Sequence, residues 1–339
     1  MFCEICLLTR KLSESVISSV ASSFSNPSVW SNSKFSVSMI HMRRCIVSTR
    51  IHSMRSYGSI KMDYTMYEMP HSQLNSPPIL LMHGLNLSRS SWRRTARHLV
   101  KQGSRSMITV DARNHGRSPH CAGHTPAHMA ADVEAFIAQH RLNRIVALGH
   151  SMGGRALMTL ALTRPELVER AIIVDITPGP VPGDVVNALE LFKVMVSVVS
   201  TIPKDLTLSE GRKHVIPEFS QLVKSDHDLM LIIQNLRKLK DGSFGWSVNA
   251  QAIIDGWDAT IVNYEQTLQG LQPYQGETLL IAANRESFVT PANVETMRKF
   301  FPKLHVEYLD AEHKVHMDQP AKFVKLIVDF TKACTACPL

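Results

Sequence analysis

Short, largely apolar runs recur along the chain at 79–82, 107–110, 145–148, 171–174 and 278–282, each closed by turn-forming residues. A run of four or five apolar residues without alternation predicts a strand covered on both faces. Between them, apolar positions fall at helical spacing over 129–140, 155–162, 293–300 and 322–332, with Pro165 and Pro302 marking helix ends. Strands alternating with helices predict an α/β fold with a mostly parallel central sheet and helices on both faces. From Asp175 to Gly276 the rhythm breaks: the pattern predicts no strand there, and helices over 185–199, 221–239 and 250–264. The expected organisation is a leader over 1–60, a core built from 61–178 and 270–333, and a helical cap over 179–269.

Composition removes several classes of function. The 339 residues are 44% hydrophobic, enough for a sizeable core. No apolar run approaches the roughly 18 residues that a transmembrane segment requires. The formal charge of +8 suggests a polyanion partner until it is located. Residues 1–61 carry eight Lys/Arg against Glu4 and Glu14, leaving 29 basic and 27 acidic groups in the rest. The predicted folded part is close to neutral, so no nucleic-acid partner is expected.

The first 60 residues contain 16 serines and no acid after Glu14. An Arg-bearing, Ser-rich, acid-poor leader reads as a mitochondrial transit peptide, which would deliver the protein to the matrix. The alternatives are a tail that targets nothing, leaving a cytoplasmic protein, or an extension upstream of the true start. The six cysteines fit a reducing compartment better than a disulfide framework. Cys3/Cys6 and Cys334/Cys337 have C-x-x-C spacing, but at the two ends of the chain this reads as coincidence rather than a zinc site. His115, His120, Cys121, His124 and His128 crowd one Pro- and Gly-bearing loop and read as solvated residues rather than metal ligands.

The strongest chemical signal is Gly149-His150-Ser151-Met152-Gly153, with a predicted strand before it and a helix after it. A serine on so tight a strand-to-helix turn has its hydroxyl exposed, and glycines on either side let neighbouring backbone approach. Such a serine needs a base to take its proton and donors for the oxyanion. His83-Gly84-Leu85 follows the strand at 79–82, which makes the backbone N–H groups of Leu85 and Met152 the candidate oxyanion hole.

These motifs resemble those of α/β-hydrolases. The stretch Asp111-Ala112-Arg113-Asn114-His115-Gly116-Arg117-Ser118, the block from Arg164 to Arg170 leading to Val174-Asp175-Ile176-Thr177-Pro178, and Phe244, Trp246, Val248 and Asn249 narrow the likeness. They resemble the subgroup of mitochondrial alpha/beta hydrolase domain-containing protein eleven and its bacterial esterase relatives, over about residues 62–332.

The resemblance implies the order nucleophile, acid, histidine, with the histidine after the last strand. Val306-Glu307-Tyr308-Leu309 is that strand, and the family's A-G-H-W-x-H places the base at His313, with His316 as the fallback. Glu312 and Lys314 depart from the pattern, standing where it has glycine and tryptophan. Two carboxylates compete as the acid. Asp175 matches the subgroup, whereas Glu286 sits where the wider fold carries its acid. Gln251 stands where some relatives have an aspartate and cannot serve.

The expected function is a serine hydrolase cleaving carboxylic esters through an acyl-enzyme. The resemblance implies lipid or acylglycerol substrates, with no cofactor and no metal. An acyltransferase on the same nucleophile, or an inactive binding module of the same fold, are the alternatives. Oligomeric state is not legible in the sequence.

Overall fold

The computed structural model describes residues 58–332 apart from 69–75, 103–104, 184, 186–187, 224 and 286–287. Nearly all of the leader, together with Cys3, Cys6, Cys45, Cys334, Cys337 and Glu286, lies outside the described residues. Among the described residues no helix is long and apolar enough to cross a membrane.

Among the described residues nine strands form: β1 (Tyr64–Tyr67), β2 (Ile79–Met82), β3 (Met107–Val110), β4 (Ile145–His150), β5 (Val168–Val174), β6 (Leu236–Lys238), β7 (Phe244–Trp246), β8 (Thr278–Ala283) and β9 (Leu304–Leu309). Seven of them build one sheet in the order β1-β3-β2-β4-β5-β8-β9. Every pairing in it is parallel except that of β1 with β3.

Because successive side chains in a strand point to opposite faces, each apolar run feeds two cores. Leu80, Met82, Ala147, Ala171 and Leu280 join one cluster, while Ile79, Leu81, Leu148, Ile172 and Ile281 join the other. Helix α1 (Arg93–Gln102) covers the second face; α2 (Pro126–Gln139) and α3 (Met152–Thr163) cover the first.

The stretch after β5 departs from the expected all-helical insertion. It holds α4 (Leu189–Val198), α5 (Leu208–Ser220), α6 (Asp226–Ile233) and α7 (Ala250–Asp255), but also the antiparallel hairpin β6–β7. The helix expected over 221–239 does not form as one piece. Ser225 caps a new helix by accepting from the Asp228 N–H, and the chain turns to strand at Leu236. These elements bury their own apolar cluster, including Phe192, Phe219, Phe244 and Trp257. Leu85, Val181 and Val185 pack against both this cluster and the first core. Helices α8 (Pro291–Phe300) and α9 (Pro320–Thr331) then complete the two faces of the sheet.

Between β2 and β4 the order of strand addition reverses, and in open α/β sheets ligands bind at the carboxyl ends of the strands flanking such a point. Those two ends carry His83 and His150-Ser151.

Candidate active site

Ser151 has φ 51° and ψ −116°. Positive φ is unfavourable for a side chain and persists where the surroundings enforce it, at a cost of order 1–3 kcal/mol. The flanking glycines are that enforcement. A Cβ on Gly149 would lie 2.4 Å from the Gly153 carbonyl oxygen, and one on Gly153 would lie 2.5 Å from that of Met82. The Ser151 N–H donates to the Val174 carbonyl at 3.1 Å, extending the β4–β5 ladder to the turn. Met152 opens α3, so its N–H is one of the donors with no intrahelical partner and sits at the positive end of the helix dipole.

His83, fully buried, holds the other candidate donor. Its Nδ1–H donates to the Gly84 carbonyl at 2.8 Å while Nε2 accepts from the Ala112 N–H at 3.1 Å. The Gly84 carbonyl shares a rigid peptide plane with the Leu85 N–H, so fixing one aims the other.

Asp175 follows β5 with φ 49° and is fully buried. Its Oδ1 accepts from the Ala283 N–H at 2.8 Å, and its Oδ2 accepts from His313 Nδ1 at 2.8 Å. Burial pushes the Asp175 carboxyl up to about 7, with the Ala283 N–H pulling the other way. Burial, helped by the positive charge of Lys314, pushes His313 down to about 3. For this pair the supported direction is a neutral imidazole with its proton on Nδ1, which leaves Nε2 as an acceptor.

The His313 ring stacks on Phe288 at 3.8 Å and lies 4.7 Å from the His150 ring, and His150 Nε2–H donates to the His313 carbonyl at 2.9 Å. The residue before Ser151 therefore also anchors the histidine loop. His316, the fallback, is buried against Trp92 with ring centroids 4.2 Å apart, and it is His313 that reaches Asp175. Gln251 is exposed on α7 and bonds to Asp255.

The DARNHG stretch is a brace around this site. Arg113 makes a buried two-pronged pair with Asp132, at 2.7 Å for each prong. The Asp111 carboxylate accepts from the Arg89 and Arg117 N–H groups, and Gly116, at φ 61°, leaves it room. His115 Nε2 accepts from the Asn86 N–H at 3.3 Å. Asn114 bonds to Asn249 through both backbone and side chain.

This brace corrects the expectation of a solvated histidine loop: His115 and His124 are buried. The insertion after β5 packs onto the loop, since the Thr260 hydroxyl donates to the His124 carbonyl at 2.8 Å and Gly256 lies directly against it. Among the described residues, no group of three or more His, Cys, Asp or Glu side chains could hold a metal ion.

Sequence reasoning did not single out His150, Phe288, Asn86 or Asn235 for roles at the site. A signal existed only for Asn86, a residue type tolerant of positive φ directly after His-Gly-Leu.

Residues 77–320 match the model of the alpha/beta hydrolase fold family. The chain is 32% identical over 294 residues to the sn-1-specific diacylglycerol lipase ABHD11 of Mus musculus, covering 85% of this chain and 93% of that protein. It is 28% identical over 270 residues to a probable alcohol acetyltransferase of Saccharomyces cerevisiae, covering 76% of this chain and 77% of that one. Among solved structures, a marine microorganism esterase superposes with a TM-score of 0.68 at 24% identity, over 80% of this chain and all of the other. With more than half of its length matched to the family model, the chain belongs to the alpha/beta hydrolase fold family.

Proposed function

We propose that this protein is a serine hydrolase that cleaves lipid or acylglycerol esters through an acyl-enzyme on Ser151. The observation that carries the reading is the 2.8 Å bond between His313 Nδ1 and buried Asp175, which follows β5 at the same carboxyl end of the sheet as the serine on its strained elbow after β4. Ser151 Oγ attacks the ester carbonyl while His313 Nε2 takes its proton. Asp175 holds the imidazole in that tautomer and stabilises the imidazolium. The N–H groups of Leu85 and Met152 receive the oxyanion. His313 returns the proton to the leaving alkoxide, then activates a water that hydrolyses the acyl-enzyme, releasing the acid and restoring Ser151.

The apolar junction of Leu85, Val181 and Val185 suits an acyl chain, and the relative named as a diacylglycerol lipase supports a lipid ester. The relative named as a probable alcohol acetyltransferase favours a second reading, in which an alcohol replaces water as the acyl acceptor. We also propose that the Ser-rich leader directs the protein to the mitochondrial matrix.

A fluorophosphonate probe, applied to the purified protein and to Ser151→Ala, tests the nucleophile. Labelling of the first and not the second supports the reading. Labelling of neither, with no turnover of a diacylglycerol, leaves a binding module. Adding ethanol to the turnover assay separates the two acceptors, since ethyl ester outpacing free acid would mean a transferase.

A further inference from the structure

The candidate oxyanion donor, the Leu85 N–H, belongs to the first of three successive peptides that are each held in place. The Gly84 carbonyl, in the same plane as that N–H, accepts from His83. The next peptide is held by its Asn86 N–H on His115. The third is held twice: its Leu87 N–H donates to the Gly84 carbonyl at 3.2 Å, and from the cap Asn235 Nδ2 donates to the Asn86 carbonyl at 3.0 Å and to Asn86 Oδ1 at 3.1 Å. Asn86 itself has φ 60°. A non-glycine residue in that region keeps its conformation only while its surroundings over-determine it.

We propose that Asn235 is a positioning residue for the oxyanion hole, so that the seating of the cap on the core sets the aim of the Leu85 N–H. The inference rests on the serine hydrolase reading and assigns to the cap a part in the chemistry besides holding substrate. Asn235 is built for this. It is buried where α6 gives way to the hairpin, and its Oδ1 accepts from the Ser247 hydroxyl at 2.8 Å. Its Nδ2 also donates to the Leu231 carbonyl at 3.1 Å, so all three atoms facing Nδ2 are acceptor oxygens. A flipped amide would set Oδ1 against those oxygens and Nδ2 against the hydroxyl, which fixes the orientation.

Just past Ser247, the residue bonded to Asn235, the cap reaches the core again. The Asn249 N–H donates to the Asn114 carbonyl at 2.9 Å, and Val248 bridges to His115, the residue that holds the Asn86 N–H. Cap, DARNHG loop and oxyanion loop therefore meet at Asn86. Without the Asn235 donor, Asn86 can relax from its left-handed conformation, and the neighbouring Leu85 N–H turns away from the position of the developing charge. Ground-state binding depends little on that N–H, so the loss falls on kcat.

The test uses the full chain with Asn235→Asp, which keeps the shape and the Ser247 contact but cannot donate, and Asn235→Ala, which adds no charge. Turnover of a p-nitrophenyl ester is measured alongside hydrogen exchange of peptides covering 83–88. The expected result for both variants is a kcat lowered about 10- to 100-fold, below the roughly 10²- to 10³-fold cost of removing a donor outright. KM should stay within about threefold, with faster exchange in 83–88. A folded variant with kcat within about twofold of the parent overturns the inference. If both variants fail to fold, Asn235→Ser takes their place: its shorter side chain leaves the Asn86 carbonyl without that donor, so unchanged kcat there is equally fatal. Absence of turnover and of fluorophosphonate labelling in the parent protein sinks the hydrolase reading and this inference with it. Activity that survives loss of the Asn235 donor sinks this inference alone.

Discussion

Asp175 and His313 stand 138 positions apart in the chain, yet Oδ2 of one lies 2.8 Å from Nδ1 of the other, with the remaining carboxylate oxygen held by the Ala283 N–H. Such a carboxylate serves orientation at the expense of stability. Asp175→Asn can still accept from Ala283, but its NH₂ then donates to His313 Nδ1 and forces the ring proton onto Nε2, where it cannot accept from Ser151. Ester turnover is expected to fall about 10⁴-fold.

Stability should move the other way. The folded pKa of Asp175, about 7, lies above its ordinary 3.8. The native state therefore binds the extra proton, and this carboxyl's stabilising contribution is lost as pH rises between those two values. At pH 8 the wild-type protein carries a buried charge that the amide lacks, so the unfolding midpoint of Asp175→Asn should equal or exceed the parent's there. Asparagine also tolerates the positive φ. Glu286→Gln should cost turnover tenfold or less. A midpoint several degrees lower for Asp175→Asn, or Glu286→Gln as the more damaging change, would return Asp175 to the role of a turn residue.

The two candidate bases separate in the same assay. His313→Gln should lower turnover by about 10⁶-fold, in line with loss of a hydrolase histidine elsewhere. His316→Gln should cost less than about tenfold, because that ring packs against Trp92 and the His150 ring rather than against Asp175. Equal losses would mean that the histidine loop rearranges in the working enzyme.

β2, β3, β4, β5 and β8 were legible because they are largely covered on both faces, so their sequences are mostly apolar runs, whereas β9, half-exposed, was placed by its position ahead of the candidate histidine. β1 escaped for the converse reason: Tyr64–Tyr67 is a partly exposed edge strand of mixed character. The β6–β7 hairpin has strands of three residues, too short for alternation to register, around a turn with Gly242 at φ 82°. α5 begins with a Thr207/Glu210 capping box, but Gly211 and Pro217 inside it mask the helical pattern. At the site, Ser151 stands out by its local motif, whereas His313 and the preference for Asp175 over Glu286 came from the family resemblance; the Asp175–His313 bond is what the structure adds. The Asn86–Asn235 contact spans 149 positions and leaves no local trace, since each residue alone is an ordinary loop asparagine.

The leader makes its own prediction. A fluorescent protein fused after residue 55 should enter mitochondria, and the same fusion with Arg43, Arg44, Arg50 and Arg55 changed to Glu should remain outside, because import depends on the positive charge of an acid-poor leader. Diffuse fluorescence from the unmodified fusion would leave the serine-rich stretch without a targeting role.

Lys314 stands where the family pattern has a tryptophan, and its ammonium pairs with Asp228 in the first turn of cap helix α6. The pair lies beside His313 and acts on it with both signs. Lys314 disfavours the imidazolium and Asp228 favours it, while burial, the largest influence, holds His313 below its ordinary 6.5. Around the ring also stand Phe288, stacked on it, Asp175, which accepts its Nδ1–H, and His150 and His316, both held neutral by burial. Since the base must be neutral to act, protonation of His313 gives kcat/KM an acidic limb below pH 6.5, separate from the loss caused as Asp175 takes up its proton at about 7. Lys314→Met removes the cation, raises the His313 pKa and moves that acidic limb to higher pH. Asp228→Asn removes the anion and moves it lower. The pair is partly exposed, so raising salt from about 0.05 to 0.5 M should narrow the gap between the two variants, as screening weakens both charges. A pH–rate profile of kcat/KM for the parent and both variants, at the two salt concentrations, checks all three signs. Shifts of both variants in the same direction would mean that the pair acts by anchoring the histidine loop to the cap, and not through its field at His313.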